Sequence, residues 1–272
     1  MKKVLFWDFD GTIIYPNESF LDALDRTVRE FGDEIEREKI RQFLHTACTW
    51  YIPEVSYPNE IGERWWESLF GKFMSFFREC GIPESNWTQM NGYFKGRILD
   101  FGGYHLYEDA EEVLGKCREM GYENFMISNN FPELADIVKA LGLGNYFKDY
   151  IVSSKIGYEK PRSEIFQQAL KKAGFPEVSY MIGDNPIADI QGGRDAGMGT
   201  ILVHAAVDSE ADWICEKLID IPALLLWQII FGWNQRREFE KSACGALGVF
   251  FGRNPYSLGE GFKEVAVVVE AA

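Results

Sequence analysis

From Glu108 onward the chain alternates short apolar runs with amphipathic ones, and that alternation restricts the possible folds more than any other feature. Glu108 to Met120 carries a helical pattern that stops at Gly121, and ENFMIS (Glu123 to Ser128) reads as a buried strand. Pro132 to Leu141 is again helical, DYIVSS (Asp149 to Ser154) is a short strand, and a helix spans about Ser163 to Ala173. SYMIG (Ser179 to Gly183) is a strand, Ala188 to Ala196 a helix and TILV (Thr200 to Val203) a further strand; Lys3 to Trp7 is a buried strand at the start. Strands alternating with helices imply βαβ units, so the expected class is α/β, with a Rossmann-like parallel sheet covered by helices on both faces.

The segment after the first strand breaks this rhythm. Phe20, Leu24, Val28 and Phe31 fall at helical spacing, with Ser19 placed to cap the start. Further helical patterns cover Glu36 to Ala47, about Ile61 to Cys80, and Pro83 to Phe94, with an aromatic loop around Pro53 and Pro58 between the first two. Gly102-Gly103 makes a hinge. The expected division is therefore a core of residues 1–14 and 103–226, a helical domain of residues 15–102 inserted after the first strand, and a segment of residues 227–272. That last segment starts apolar, passes Arg236 and Arg237 and ends in VAVVVEAA; it reads equally as a tail, an added hairpin or an interaction segment.

In open α/β sheets functional groups gather at the carboxyl ends of the strands. Four such ends carry polar clusters here: Asp8-Phe9-Asp10-Gly11-Thr12, Ser128-Asn129-Asn130, Lys160-Pro161, and Gly183-Asp184 with Asp189. Two carboxylates about 4 Å apart repel by ~4 kcal/mol at an effective dielectric near 20. Four together call for a cation, and Mg2+ suits them as a hard ion held by one or two carboxylates, waters and phosphate oxygens. Lys160 adds a second positive charge. A metal-bound carboxylate beside a lysine serves phosphoryl transfer, with one aspartate as nucleophile and a second moving protons.

The formal net charge of -14 disfavours nucleic acid and anionic membranes, and repels a small anionic substrate unless the site supplies its own cation. IPALLLWQIIFGW, the most apolar stretch, is shorter than the ~20 residues of a membrane helix. MKKVLFWDFDG is a poor signal peptide because aspartates interrupt its apolar run. Five scattered cysteines without a C-x-x-C pair argue for reduced thiols and a cytoplasmic protein. No feature sets an oligomeric state.

DFDGT, SNN, KP and GDNPIAD, in this order at strand ends, resemble the four motifs of the haloacid dehalogenase superfamily, and the helical insertion resembles its C1-type cap. The resemblance covers residues 1 to about 226; the insertion is longer than the commoner cap of this type, and residues past Leu226 have no counterpart in it. It implies Asp8 as nucleophile and Asp10 as general acid/base, with Thr12 supporting their loop and counted among the phosphate-side residues. It further implies Ser128, Asn129 and Lys160 as the groups holding the transferring phosphoryl. Mg2+ would be held by Asp8, Asp184 and the backbone carbonyl of Asp10, with Asp189 ordering either the metal's water or Lys160. The superfamily's dehalogenases generally lack an acid at the position of Asp10, because displacing a halide needs neither a proton donor nor a metal.

The expected function is thus a Mg2+-dependent phosphatase acting on a small phosphorylated metabolite through an aspartyl-phosphate. The alternatives are a phosphomutase of the same family, or a scaffold or regulatory protein that uses the fold and the last segment for binding. Blander readings exist for single motifs: Ser128-Asn129 as a turn and Asp189 as a helix N-terminal charge. The insertion's aromatics (Trp50, Tyr51, Trp65, Trp66, Phe70, Phe73, Phe76, Phe77) read chiefly as packing, with Tyr15, Trp50 and Tyr51 as candidates to line the site. Lys39 and Arg64 read as surface residues that could reach an anionic substrate, and His45, His105 and His204 show no metal-ligand spacing.

Overall fold

Lys3–Trp7 forms β1, with Val4, Leu5, Phe6 and Trp7 all fully buried, as a strand covered on both faces requires. The structure, a computed structural model, describes residues 1–205 and 210–231. β2 (Tyr122–Ser128), β3 (Phe147–Val152), β4 (Val178–Gly183), β5 (Gly199–Val203) and β6 (Trp213–Cys215) complete a six-stranded, all-parallel sheet in the order β3-β2-β1-β4-β5-β6. The expected α/β class therefore holds. The three-residue β6 lies at the edge, too short to leave a pattern in the sequence.

Helices α1 (Ser19–Glu30), α2 (Arg37–Ala47), α3 (Glu63–Glu79) and α4 (Trp87–Ile98) follow β1. After them come α5 (Ala110–Glu119), α6 (Leu134–Ala140), α7 (Ser153–Ile156), α8 (Ser163–Lys172), α9 (Gly192–Asp195) and α10 (Ile221–Phe231). Within α1–α4, Trp66, Phe73, Phe77 and Phe94 are fully buried, the Phe73 and Phe94 rings meet edge to face at 4.8 Å, and Phe43 stacks on Phe76 at 4.1 Å. Such pairs add ~0.5–1.5 kcal/mol each beyond the burial of area. The apolar cluster containing these residues runs on without a break to Trp7, Phe9 and Ile13 of the sheet.

Several local expectations shift. The cap of α1 is not Ser19; the Asn17 carboxamide oxygen accepts the Ser19 N–H at 2.9 Å, the local bond asparagine makes two residues ahead. The strand expected through Ser154 stops at Val152, because Ser153 and Ser154 turn into α7. The helix expected from Ala188 begins as a π-helical turn, Pro186–Gln191, where the Asn185 side chain accepts the N–H groups of Ile187 and Ala188 at 2.9 Å each. The helix α10 crosses the boundary expected at residue 226, and residues 232–272, which carry most of the expected last segment, lie outside the described residues. Among the described residues no helix is long and apolar enough to cross a membrane. The four described cysteines, Cys48, Cys80, Cys117 and Cys215, are free.

The topology positions the site. β1 is flanked by β2 and β4, so the strand order reverses at β1, where open sheets form their ligand crevice. Trp7 pairs with Met126 and Ile182, so Asp8 directly after β1, Ser128 at the last position of β2 and Asp184 directly after β4 lie along one edge of the sheet.

Candidate active site

The β1–β4 ladder extends one residue past β1, the Asp8 N–H donating to the Ile182 carbonyl at 2.9 Å, and this fixes where the Asp8 side chain starts. The chain then turns sharply: the Phe9 carbonyl accepts from Ile13 at 2.9 Å and from Ile14 at 3.1 Å, with Phe9 itself fully buried. Gly11 makes the turn at φ +74, and a Cβ there would come within 2.3 Å of Asp184 Oδ2. Alanine at this position is expected to combine left-handed strain of ~1–2 kcal/mol with displacement of Asp184. Gly11→Ala should therefore lower the thermal midpoint and weaken divalent-cation binding, measured by titration calorimetry; unchanged binding would contradict this role for the turn.

Lys160 reaches the same point from the loop after α7. Its ammonium lies 2.8 Å from Asp8 Oδ1 and 2.6 Å from Asp189 Oδ1, and donates to the Ile127 carbonyl at 3.0 Å. The Lys160 side chain is almost wholly buried, so its charge opposes burial, yet Asp189 and Asp8 hold its pKa well above the ordinary lysine range. Asp189, fully buried, accepts from Lys160 with one oxygen and from the Asn185 N–H with the other at 3.0 Å. Burial pushes its carboxyl pKa upward, and Lys160 opposes that.

Asp8, Asp184 and Asp189 present carboxylate oxygens within 4.8 Å of one another. Asp184 is pushed up to about 6, by burial first and by the Asp8 charge second. A hard oxygen donor set with more negative charge than Lys160 alone offsets suits a divalent cation such as Mg2+. Both Asp189 oxygens are already engaged, which leaves Asp8 and Asp184 as the side chains free to ligate.

Asp10 stands apart from that cluster and faces the cavity. Its Oδ2 accepts from Asn130 Nδ2 at 2.6 Å. Burial, then the Asp8 charge, raises its pKa to about 7, the range suited to a group that gives and takes protons near neutrality.

The cavity at this strand edge measures about 590 Å3, within the ~300–1,000 Å3 usual for small-ligand sites. Asp8, Asp10, Ser128, Asn129, Lys160 and Asp184 all line it. Two of the expected phosphate-side residues have protein partners for their side chains. Asn129 Oδ1 accepts from the Lys160 N–H at 2.6 Å and Asn129 Nδ2 donates to the Lys160 carbonyl at 3.0 Å, so this carboxamide clamps the lysine backbone. Thr12 is fully buried and outside the lining; its hydroxyl points to Asp184 Oδ1 at 3.4 Å, a loop-supporting place.

Asn130 and His204 have roles that the sequence does not assign: Asn130 holds Asp10. His204 Nε2 donates to the Thr12 carbonyl at 3.0 Å, and its ring stacks on Tyr107 at 3.7 Å, so the end of β5 buttresses the Asp10–Thr12 turn. The far wall comes from the insertion. Trp50 and Tyr51 line the cavity, whereas Tyr15, outside the lining, donates to Glu108 at 2.8 Å and packs at a tilt against Tyr107. The basic groups of that wall are Arg41 and His45 on α2, and neither Lys39 nor Arg64 lines it. Arg41 is held by Glu18 at 3.0 Å and Glu38 at 2.6 Å, and His45 stacks on Tyr51 at 4.1 Å.

Comparison with known proteins matches residues 2–197 to a family described as haloacid dehalogenase-like hydrolase. A phosphoserine phosphatase of Thermus thermophilus is 31% identical over 233 residues, covering 76% of this chain and 91% of that protein. A mouse (Mus musculus) haloacid dehalogenase-like hydrolase domain-containing protein 3 is 27% identical over 211 residues, 74% of this chain and 81% of that one. Among solved structures, a Bacillus subtilis HAD-hydrolase bound to magnesium covers 82% of this chain and 98% of its own at a TM-score of 0.62 and 20% identity, a likeness of fold.

Proposed function

Because the chain belongs to the haloacid dehalogenase-like hydrolase family, we propose that it is a Mg2+-dependent phosphatase that hydrolyses a small phosphomonoester through a phosphoryl group carried on Asp8. The observation that carries the reading is the second carboxyl, Asp10, held inside the cavity near neutrality by burial while Asp8 faces Lys160. A dehalogenase has no use for that acid.

In the proposed reaction an Asp8 carboxylate oxygen attacks phosphorus as the bond to the leaving oxygen breaks, and protonated Asp10 delivers its proton to that oxygen. The Asp10 carboxylate then takes a proton from water, whose oxygen attacks phosphorus and frees inorganic phosphate and Asp8. Lys160 offsets charge on Asp8 and on the incoming phosphate, with Asp189 fixing its position. Ser128, which lines the cavity, is placed to donate to the phosphoryl oxygens. Asp8, Asp184 and the Asp10 backbone carbonyl would hold Mg2+, which when bound would supply positive charge to offset that of the phosphoryl group.

The helices α1–α4 act as a cap, with Trp50, Tyr51, Arg41 and His45 selecting the leaving group. The phosphoserine phosphatase relative supports a small phosphorylated metabolite as substrate, and the free cysteines support a reducing, cytoplasmic setting. Phosphate release from p-nitrophenyl phosphate tests the reading. Chelation should abolish it and Mg2+ restore it; activity indifferent to chelator would refute the metal assignment, and no hydrolysis of any phosphomonoester would refute the function.

A further inference from the structure

Glu159, immediately before Lys160, is a fully buried carboxylate outside the cavity lining. Leaving such a charge in the interior costs several kcal/mol unless it is well partnered. Its partners come largely from the helical insertion. The Tyr57 hydroxyl donates to Glu159 Oε1, and Thr49 and Ser153 join Tyr57 in favouring the charged form against a burial that pushes its pKa up.

Around this contact the segment before α3 is seated on the loop that carries Lys160. The Tyr57 N–H donates to the Gly157 carbonyl at 2.9 Å and the Gly62 N–H to the Ser154 carbonyl at 2.8 Å. Arg162 Nη1 donates to the Glu54 carbonyl at 2.7 Å. The seat is shaped for that chain: Gly157 sits at φ +84, and a Cβ there would fall 2.4 Å from Pro58 Cα.

Two routes lead from Glu159 to the reacting groups. One is covalent, since the next residue is Lys160, whose N–H is held by Asn129 Oδ1 at 2.6 Å. The other starts at the same seat: the Gly157 N–H donates to the Ser153 carbonyl at 2.7 Å, the Ser153 hydroxyl accepts the Asn130 N–H at 3.0 Å, and Asn130 Nδ2 donates to Asp10 Oδ2 at 2.6 Å. We infer that Glu159 is a positioning residue: the insertion, seated on it through Tyr57, fixes the backbone of Lys160 and the orientation of Asn130 and hence of Asp10. The consequence for turnover rests on the phosphatase reading; the consequence for local order does not.

Tyr57→Phe decides the matter, because it keeps the buried ring and removes only the hydroxyl, while Glu159→Gln and Glu159→Asp serve as companion variants. Amide hydrogen exchange is read by NMR at Tyr57 and Gly62 on the insertion and at Asn130 and Lys160 on the core, alongside kcat and KM for p-nitrophenyl phosphate. The expected result is faster exchange at all four amides in Tyr57→Phe, a ~10- to 100-fold fall in kcat with KM changed less than about twofold, and partial recovery in Glu159→Asp relative to Glu159→Gln. Faster exchange confined to Tyr57 and Gly62, or an unchanged kcat with all four amides loosened, would overturn the inference. If the wild type hydrolyses nothing, the phosphatase reading falls, and the exchange at Asn130 and Lys160 still decides for or against the coupling.

Discussion

Asp8→Asn is expected to lower phosphomonoester hydrolysis by about ten-thousand-fold or more while the protein stays folded, the scale seen when a nucleophile is removed from a site whose other groups remain. The physical basis is the separation of roles at the end of β1. Asp8 is placed by a ladder hydrogen bond from its backbone, which the substitution keeps. The asparagine amide lacks the negative charge that attacks phosphorus. The fold should tolerate the change because Lys160 retains Asp189 at 2.6 Å and the Ile127 carbonyl at 3.0 Å, so its buried charge is not left alone. Circular dichroism and the thermal midpoint verify folding, and steady-state phosphate release gives the rate. Activity within tenfold of wild type would remove Asp8 from the chemistry.

Lys160→Met is the second large effect, and here stability and activity should both fall. The methionine chain fills the space of the lysine stem, yet Asp8, Asp184 and Asp189 then crowd together with no cation among them. Removing one partner of a buried charge cluster costs about 3–5 kcal/mol, which denaturant unfolding reads directly. The sign with pH is definite in chelator. Without the ammonium, the carboxyls hold their protons more tightly in the folded than in the unfolded chain. Stability gained from a raised carboxyl pKa is full below the unfolded value, about 4, and is lost as pH rises through the folded value. The deficit of Lys160→Met relative to wild type should therefore grow from pH 5 toward pH 8. A deficit that shrinks over that interval would contradict the assignment of Lys160 as the charge that holds this cluster together.

The sheet was legible because its strands are continuous apolar runs ended by polar clusters, a pattern that buried parallel strands impose locally. The same locality made Asp8, Asp10, Lys160 and Asp184 stand out. Asn130, His204 and Glu159 were not legible, because each takes its meaning from a partner far off in sequence: Asp10, the Thr12 carbonyl and Tyr57 respectively. Asn129 shows the converse. Its position near the site was readable, but the engagement of its carboxamide with the Lys160 backbone depends on how two loops meet. For the cavity wall a signal existed: Ile40, Leu44 and Ala47 mark the buried face of α2, and Arg41 and His45, one turn apart, border it. A helical projection of α2 alone would have turned attention from Lys39 toward them.

The central claim is that a phosphoryl group passes through Asp8, and trapping it tests this most directly. In Asp10→Asn, p-nitrophenyl phosphate can still load the nucleophile, because its leaving group departs without a proton, while water is no longer activated for the second step. Acid quench followed by peptide mass mapping should then find the mass of one phosphoryl group on the peptide that begins the chain, at Asp8, and none in the variant that also carries Asp8→Asn. A phosphoryl group on any other residue, or hydrolysis proceeding with no covalent adduct at Asp8, would contradict the account.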